Sequence, residues 1–209
     1  MAVYERKDAA WKRAKEEGYR SRAAYKLLEL DEVFGLLRPG QRVVDLGCWP
    51  GAWTQVAAKK VGRSGRVVGV DLVPTDDLGL AQVTLVTGDV CEPDVRARVR
   101  DALGGPADLV LSDLAPKLSG IAAADEARHA LLVEIAIDAA QEWLAPDGAL
   151  LVKLFMDSEY EGLVRRLRAA FSAVRTRRPP STRKGSSEIY VAAVGKRSGR
   201  ASTAPSPAQ

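Results

Sequence analysis

Residues 42–55 read Arg42-Val43-Val44-Asp45-Leu46-Gly47-Cys48-Trp49-Pro50-Gly51-Ala52-Trp53-Thr54-Gln55, and this stretch decides how the chain is read. Val43, Val44 and Leu46 form a short apolar, largely β-branched run, the pattern of a strand buried on both faces of a parallel sheet. Gly47, Pro50 and Gly51 then turn the chain, and residues 52–60 have the composition of a helix. Strand, glycine turn and helix start set backbone N–H groups and a positive helix end beside a crevice. A ligand carboxylate or phosphate fits there.

Working outward, further apolar strands are expected at 66–70, 83–86, 108–111, 149–155 and 188–194, with the segment 174–177 and a basic loop leading into the last one. Helices are expected at 93–103, 125–144 and about 158–170, the long one burying Leu131, Leu132, Ile135, Ala139 and Trp143. On the N-terminal side, 5–17 is polar and helix-prone. Ser21 is placed to cap a second helix whose apolar stripe is Ala24, Leu27, Leu28, Val33 and Phe34. Strands alternating with helices predict an α/β fold with a parallel sheet covered on both faces, and a ligand site outside the carboxyl ends of the strands.

At 209 residues the chain suits one large domain. Its charge of +4 is unevenly spread. Residues 163–209 hold eleven Lys/Arg against one acid, and residues 1–26 hold eight against four, so the middle of the chain is net acidic. Basic ends around an acidic centre point to a cationic or polar small ligand inside and a polyanion outside. Two cysteines imply no disulfide framework and a reducing compartment. One histidine argues against a His-based metal site, and residues 1–18 lack the apolar core of a signal or anchor. The cytoplasm is the expected location. The Ser/Ala/Pro-rich tail, 196–209, is expected to be disordered, beyond a domain spanning 1–195.

Asp45, Asp71, Asp89 and Asp113 each fall at or just past the end of an expected strand, and together they predict an acidic rim. Asp71 lies 20 residues after Gly51, where a carboxylate accepts ribose hydroxyls. The glycine pattern is not G-x-G-x-x-G, which disfavours a dinucleotide and leaves an NAD oxidoreductase a remote alternative. S-adenosylmethionine has a ribose and a sulfonium cation but no pyrophosphate, so the acidic rim suits it. Asp89 is then placed to meet the adenine, and the methionine end lies against residues 47–53.

The expected strand at 149–155 reads Ala-Leu-Leu-Val-Lys-Leu-Phe. A lysine within such an apolar run is costly to bury unpaired, and Asp113 on a neighbouring strand is the candidate partner. Glu188 opens the last strand directly before Ile189-Tyr190-Val191.

Five segments now stand in order: Tyr19-Arg-Ser-Arg-Ala-Ala-Tyr-Lys-Leu27; Asp45-Leu-Gly-x-x-Pro-Gly-x-Trp-x-Gln55; Ser112-Asp-Leu-Ala-Pro116; Leu151-Val-Lys-Leu-Phe155; and Ser186-x-Glu-Ile-Tyr190. In that order and spacing the chain resembles the FtsJ/RrmJ family of ribosomal RNA ribose 2′-O-methyltransferases over about residues 18–195. The resemblance implies a Rossmann-like methyltransferase fold, a mostly parallel seven-stranded sheet with the last strand antiparallel, and a basic N-terminal helical segment, 1–34, carrying Lys26. It implies a catalytic set of Lys26, Asp113, Lys153 and Glu188, and S-adenosyl-L-methionine contacts at Gly51, Trp53, Asp71, Asp89 and Asp113. It also implies a monomer without metal or membrane attachment, acting on a uridine of 23S rRNA in the assembled 50S particle. Cys48-Trp49, Ala52 and Lys117 depart from the family pattern, the last where Asn is expected, which touches the cofactor pocket wall and an RNA contact. A ribose methyltransferase of another RNA such as tRNA, and a catalytically silent RNA-binding assembly factor, remain the alternatives.

Overall fold

The computed structural model describes residues 9–183 and 185–197. Along the chain run α1 (Ala9–Glu16), α2 (Ala23–Phe34), β1 (Arg42–Leu46), α3 (Ala52–Val61), β2 (Arg66–Asp71), β3 (Val83–Thr87) and α4 (Pro93–Leu103). Then follow β4 (Ala107–Ser112), α5 (Ala122–Trp143), β5 (Leu144–Phe155), α6 (Tyr160–Ala170), β6 (Phe171–Arg177) and β7 (Glu188–Lys196). The strands form one sheet in the order β3-β2-β1-β4-β5-β7-β6, in which β7 runs antiparallel to both its neighbours and the remaining pairs are parallel.

The order has a direct consequence for the glycine turn. β1 lies between β2 and β4, with Val44 opposite Val68 on one side and Val110 on the other. Its apolar residues therefore meet both layers of the sandwich. On one face Leu27, Leu30, Trp53, Val56 and Val61 of α2 and α3 pack on Val43, Val67, Leu109 and Leu151. On the other, Val99, Val133, Ile137, Trp143, Leu163 and Leu167 of α4, α5 and α6 cover Val44, Val68, Val110 and Leu150. Each fully buried side chain of this size contributes on the order of 1.5–3 kcal/mol. The chain leaves β1 toward β2 on one side, while β4 continues to β5 on the other. The point where those connections part, at the carboxyl ends of β1 and β4, is where sheets of this kind form their ligand crevice.

Several details differ from the sequence-based expectations. The buried seam of α5 is His129, Val133, Ala136, Ile137, Ala140 and Trp143, with Ala139 beside it, whereas Leu131 is 61% exposed and Leu132 and Ile135 are only half-buried. Alanines at 136, 139 and 140 bring the helix close to the sheet, and the seam follows that approach, leaving the bulkier leucines at its border. In α2 the seam carries Leu30 and Asp31, while Val33 is exposed. Asp31 is satisfied there by the Leu37 N–H at 2.7 Å and Lys60 at 2.8 Å. The helix ends at Gly35, whose φ of 64° is the left-handed cap conformation, three residues before Arg38-Pro39-Gly40. Ser21 accepts the Ala23 N–H at 3.2 Å, one residue before the capping position taken by Arg22. β5 begins at Leu144 and includes Pro146-Asp147-Gly148. β7 runs to Lys196, whose ammonium donates to the carbonyls of Gln141 and Leu144. The tail from 198 onward lies outside the described residues.

Candidate active site

Gly47 and Gly51 hold the turn after β1, with φ of 77° and 107°, both in the region that side chains disfavour. Close approach adds a second constraint, since a Cβ on Gly47 would meet the Leu114 side chain at 2.8 Å. The turn is laced to β2: the N–H groups of Gly47 and Cys48 both donate to the Val70 carbonyl. Asp71, at the end of β2, accepts the N–H of Trp49 at 2.9 Å and of Val73 at 2.8 Å, one on each carboxylate oxygen. Its carboxylate thus fixes the turn while remaining half-buried. Asp89, beyond β3, is exposed and accepts the Cys91 N–H at 2.8 Å. The first-turn N–H groups of α3 stand beside the turn and have no partner within the helix.

Asp45 does not join the acidic rim. It is wholly buried under the turn, where one oxygen accepts the Thr54 hydroxyl at 2.6 Å and the other has no partner among the described residues. Burial pushes its carboxyl up to about 7, against the pull of Thr54 and reinforced by the charges of Asp113 and Asp71. The reason lies in the strand. Alternation points residue 45 into the layer beneath α3, and the open rim is left to Asp71, Asp89 and Asp113.

Lys26, Asp113, Lys153 and Glu188 come together as two ion pairs. Lys153, only 6% exposed, donates to Asp113 Oδ1 and to the Asp113 carbonyl, each at 2.9 Å. Lys26 straddles the Glu188 carboxylate, 2.7 Å from Oε1 and 2.9 Å from Oε2. Strand pairing creates this neighbourhood, because β5 and β7 set Lys153 opposite Tyr190 and Phe155 opposite Glu188. Trp53, named above as a cofactor contact, is buried, and its indole N–H donates to the Ala23 carbonyl at 2.8 Å. That bond fastens the start of α2, and so Lys26, to α3.

One member of the site was missed in the sequence beyond its place in a motif. Tyr190 is fully buried between the two pairs; its hydroxyl donates to Asp113 Oδ1 at 2.8 Å, and its ring lies 5.9 Å below the Lys26 ammonium. Burial, and then the charges of Asp113 and Glu188, push the phenol well above its ordinary range, so it stays a donor. An isolated Tyr in an apolar strand looks like core, and only the pairing with β5 shows what its hydroxyl reaches. Of the basic ends, Arg20 is engaged within the fold by the Asp77 carbonyl and Asp76, and Arg175 lies over the Phe34 ring. Lys12, Arg13 and Lys15 line exposed α1, and Lys184 lies outside the described residues.

A covered sheet with a lone antiparallel β7, a glycine turn at the switch point and acids on the strand ends is the Rossmann-like architecture of S-adenosylmethionine-dependent methyltransferases. The chain belongs to the FtsJ-like methyltransferase family, whose model matches residues 19–196. It is 49% identical over 188 residues to a ribosomal RNA large subunit methyltransferase E of Acidithiobacillus ferrooxidans, covering 90% of this chain and 85% of that one. It is 48% identical to the protein of the same name from Thiobacillus denitrificans, covering 88% and 83%. Among solved structures, a Plasmodium falciparum protein described as a ribosomal RNA methyltransferase superposes with a TM-score of 0.74 at 26% identity, covering 85% and 98% of the two chains. Aeropyrum pernix fibrillarin, solved with natively bound S-adenosyl-L-methionine, shares the fold at a TM-score of 0.58 and 17% identity, covering 84% and 75%.

Proposed function

We propose that this methyltransferase moves a methyl group from S-adenosyl-L-methionine to the ribose 2′-oxygen of a uridine in 23S rRNA, within the assembled 50S particle. The observation that carries the reading is the buried Lys153, paired with Asp113 at the crevice mouth beside the glycine turn. The names of the curated relatives support large-subunit rRNA as the substrate.

The residues present fit the cofactor. Positive-φ glycines shape the turn, the N-terminus of α3 offers its positive end to a carboxylate, and Asp71, Asp89 and Asp113 supply acceptors and negative charge. In this reading Gly51, Trp53, Asp71, Asp89 and Asp113 hold it, Trp53 by backing the pocket. When bound, the cofactor supplies an electrophilic methyl on a sulfonium. Lys153 would orient the 2′-hydroxyl toward that methyl. As the ammonium paired with Asp113 it stabilises the negative charge developing on the oxygen, an effect worth several kcal/mol, and only after giving up its own proton would it serve as the base. Asp113 fixes the lysine's direction, and Tyr190 fixes Asp113. Lys26, steadied by Glu188, positions the nucleotide.

Exposed Lys12, Arg13 and Lys15 would meet phosphates. We place the protein in the cytoplasm as a monomer. No described helix is long and apolar enough to cross a membrane, and no group of three or more His, Cys, Asp or Glu gathers to hold a metal among the described residues.

The deciding experiment offers labelled S-adenosylmethionine with naked rRNA, 50S particles and tRNA in separate reactions. Label should enter the 50S particle and survive alkaline hydrolysis within an uncleaved dinucleotide, because a 2′-O-methyl blocks cleavage of its own phosphodiester. Label on a mononucleotide would mean base methylation and refute the ribose assignment. Label confined to tRNA would refute the substrate.

A further inference from the structure

Beside the catalytic pairs lies a second cavity that the reaction chemistry leaves unassigned. It encloses about 340 Å³, and its walls include Leu118, Glu126, Phe155, Asp157, Ser186 and Ser187. Four segments at the carboxyl edge of the sheet build it: the loop after β4, the first turns of α5, the end of β5 with the turn after it, and the approach to β7. Phe155 ties it to the chemistry twice, since its ring centroid is 5.9 Å from the Lys153 ammonium and its strand partner is Glu188. Behind that ring stands buried His129, edge-on at 4.4 Å between centroids. Burial, and then the Lys153 charge, lower the imidazole pKa, so it acts there as a neutral support.

The polar groups of this cavity are not all committed. Asp125 is consumed by the Ser119 and Gly120 N–H groups and by Arg128. Glu126 uses one oxygen to accept the Ser158 hydroxyl, and Asp157 uses one to accept the Glu159 N–H; among the described residues each has a second oxygen unengaged. The Ser186 oxygen accepts the Glu188 N–H at 3.2 Å, which leaves its own proton to donate. The cavity therefore pairs an aromatic face and an exposed aliphatic one, Leu118 at 72%, with open carboxylate acceptors and hydroxyl donors.

We infer that this cavity receives the base of the methylated nucleotide and reads it as uracil. Sequence-specific RNA binding takes splayed-out bases, stacks them on aromatic rings and bonds their Watson–Crick edges. A ribose whose 2′-hydroxyl meets Lys153 places its base within a few ångströms, at Phe155. Uracil presents an N3–H between two carbonyls. The open oxygen of Glu126 or of Asp157 accepts the N–H, and the Ser186 and Ser187 hydroxyls serve the carbonyls. Cytosine turns a lone pair toward the carboxylates instead. The inference rests on the ribose reading above and adds the residues that choose the base.

The test uses the full chain with unmethylated 50S particles carrying uridine or cytidine at the accepting position, scoring label by alkaline hydrolysis. A hydrogen bond to a charged group corresponds to about a tenfold to hundredfold preference for uridine in kcat/KM. The double variant Glu126→Gln/Asp157→Asn should bring that preference to within a few-fold, acting through KM, with S-adenosylmethionine binding unchanged. Leu118→Ala, at an exposed position that the fold tolerates losing, should raise KM for the particle several-fold. Equal transfer to cytidine by the unaltered protein, or full preference retained by the double variant, would overturn the inference while ribose label persists. Loss of ribose label in the unaltered protein would instead overturn the reading beneath it.

Discussion

Tyr190 and Lys153 donate to the same atom, Asp113 Oδ1, at 2.8 and 2.9 Å, although the two donors come from opposite partners of an antiparallel strand pair. One carboxylate oxygen is thus clamped from two sides, and the direction of the Lys153 ammonium depends on a buried phenol. Tyr190→Phe keeps the packing and removes one donor. We expect transfer to fall about tenfold or more with cofactor affinity little changed, and stability to drop by about 1–2 kcal/mol. Single-turnover rates and thermal melting check both.

Lys153→Ala removes the group facing the reacting hydroxyl. Transfer should drop by orders of magnitude while equilibrium binding of S-adenosylmethionine survives. Near-normal transfer by this variant would sink the catalytic assignment.

The Lys26–Glu188 pair is largely buried on both sides. Lys26→Met alone strands a carboxylate, at a cost of about 3 kcal/mol; adding Glu188→Leu should restore most of that stability. Activity should not return with it, since a positioning lysine is absent in both variants. A double-mutant cycle read by denaturant unfolding and by transfer rate separates the two effects.

Asp45 makes stability depend on pH. Its carboxyl is raised from an ordinary value near 3.9 to about 7, so the folded chain holds a proton that the unfolded chain releases. Stability from this group is complete below about pH 4 and is lost as pH rises toward and through 7, by at most about 4 kcal/mol. Asp45→Asn keeps the Thr54 contact and cannot ionise. Melting curves from pH 4.5 to 8 should show the variant gaining on the unaltered protein as pH rises; a constant offset would count against the assignment.

Phosphate contacts from α1 make particle binding salt-dependent. Affinity should fall linearly in log–log form, and Lys12→Ala or Lys15→Ala should each reduce the slope by about one if each neutralises one phosphate. A flat response would remove the N-terminal helix from the RNA footprint.

Much of the fold is legible in the sequence itself. α4 falls on the expected 93–103, and β1, β2, β3, β4 and β7 lie on the expected apolar runs, whereas β5 starts at Leu144, ahead of the expected 149–155, and β6 runs Phe171–Arg177 through Arg175 and Arg177 rather than an apolar run. The matching elements are specified by neighbours in the chain. The errors cluster where the deciding partner is distant. Leu131 obeys a helical period yet faces out, because the alanine side of α5 approaches the sheet more closely. Asp45 sits at a strand end like the other acids, but only the packing of α3 over β1 shows that it is sealed beneath Thr54.

The stretch around Gly47 shows the same division. Strand, glycine turn and helix were determined locally, by β-branched apolar residues and by glycines that alone take positive φ without strain. The five ordered segments sufficed to select the candidate residues. The sequence offered Asp113 as the partner of Lys153 but left open which lysine Glu188 holds, and that Tyr190 serves Asp113. Those contacts span 40, 77 and 162 positions along the chain, for Lys153–Asp113, Tyr190–Asp113 and Lys26–Glu188. They are set by the order β1-β4-β5-β7 and the antiparallel register of the last pair, which only burial of the whole sheet can enforce.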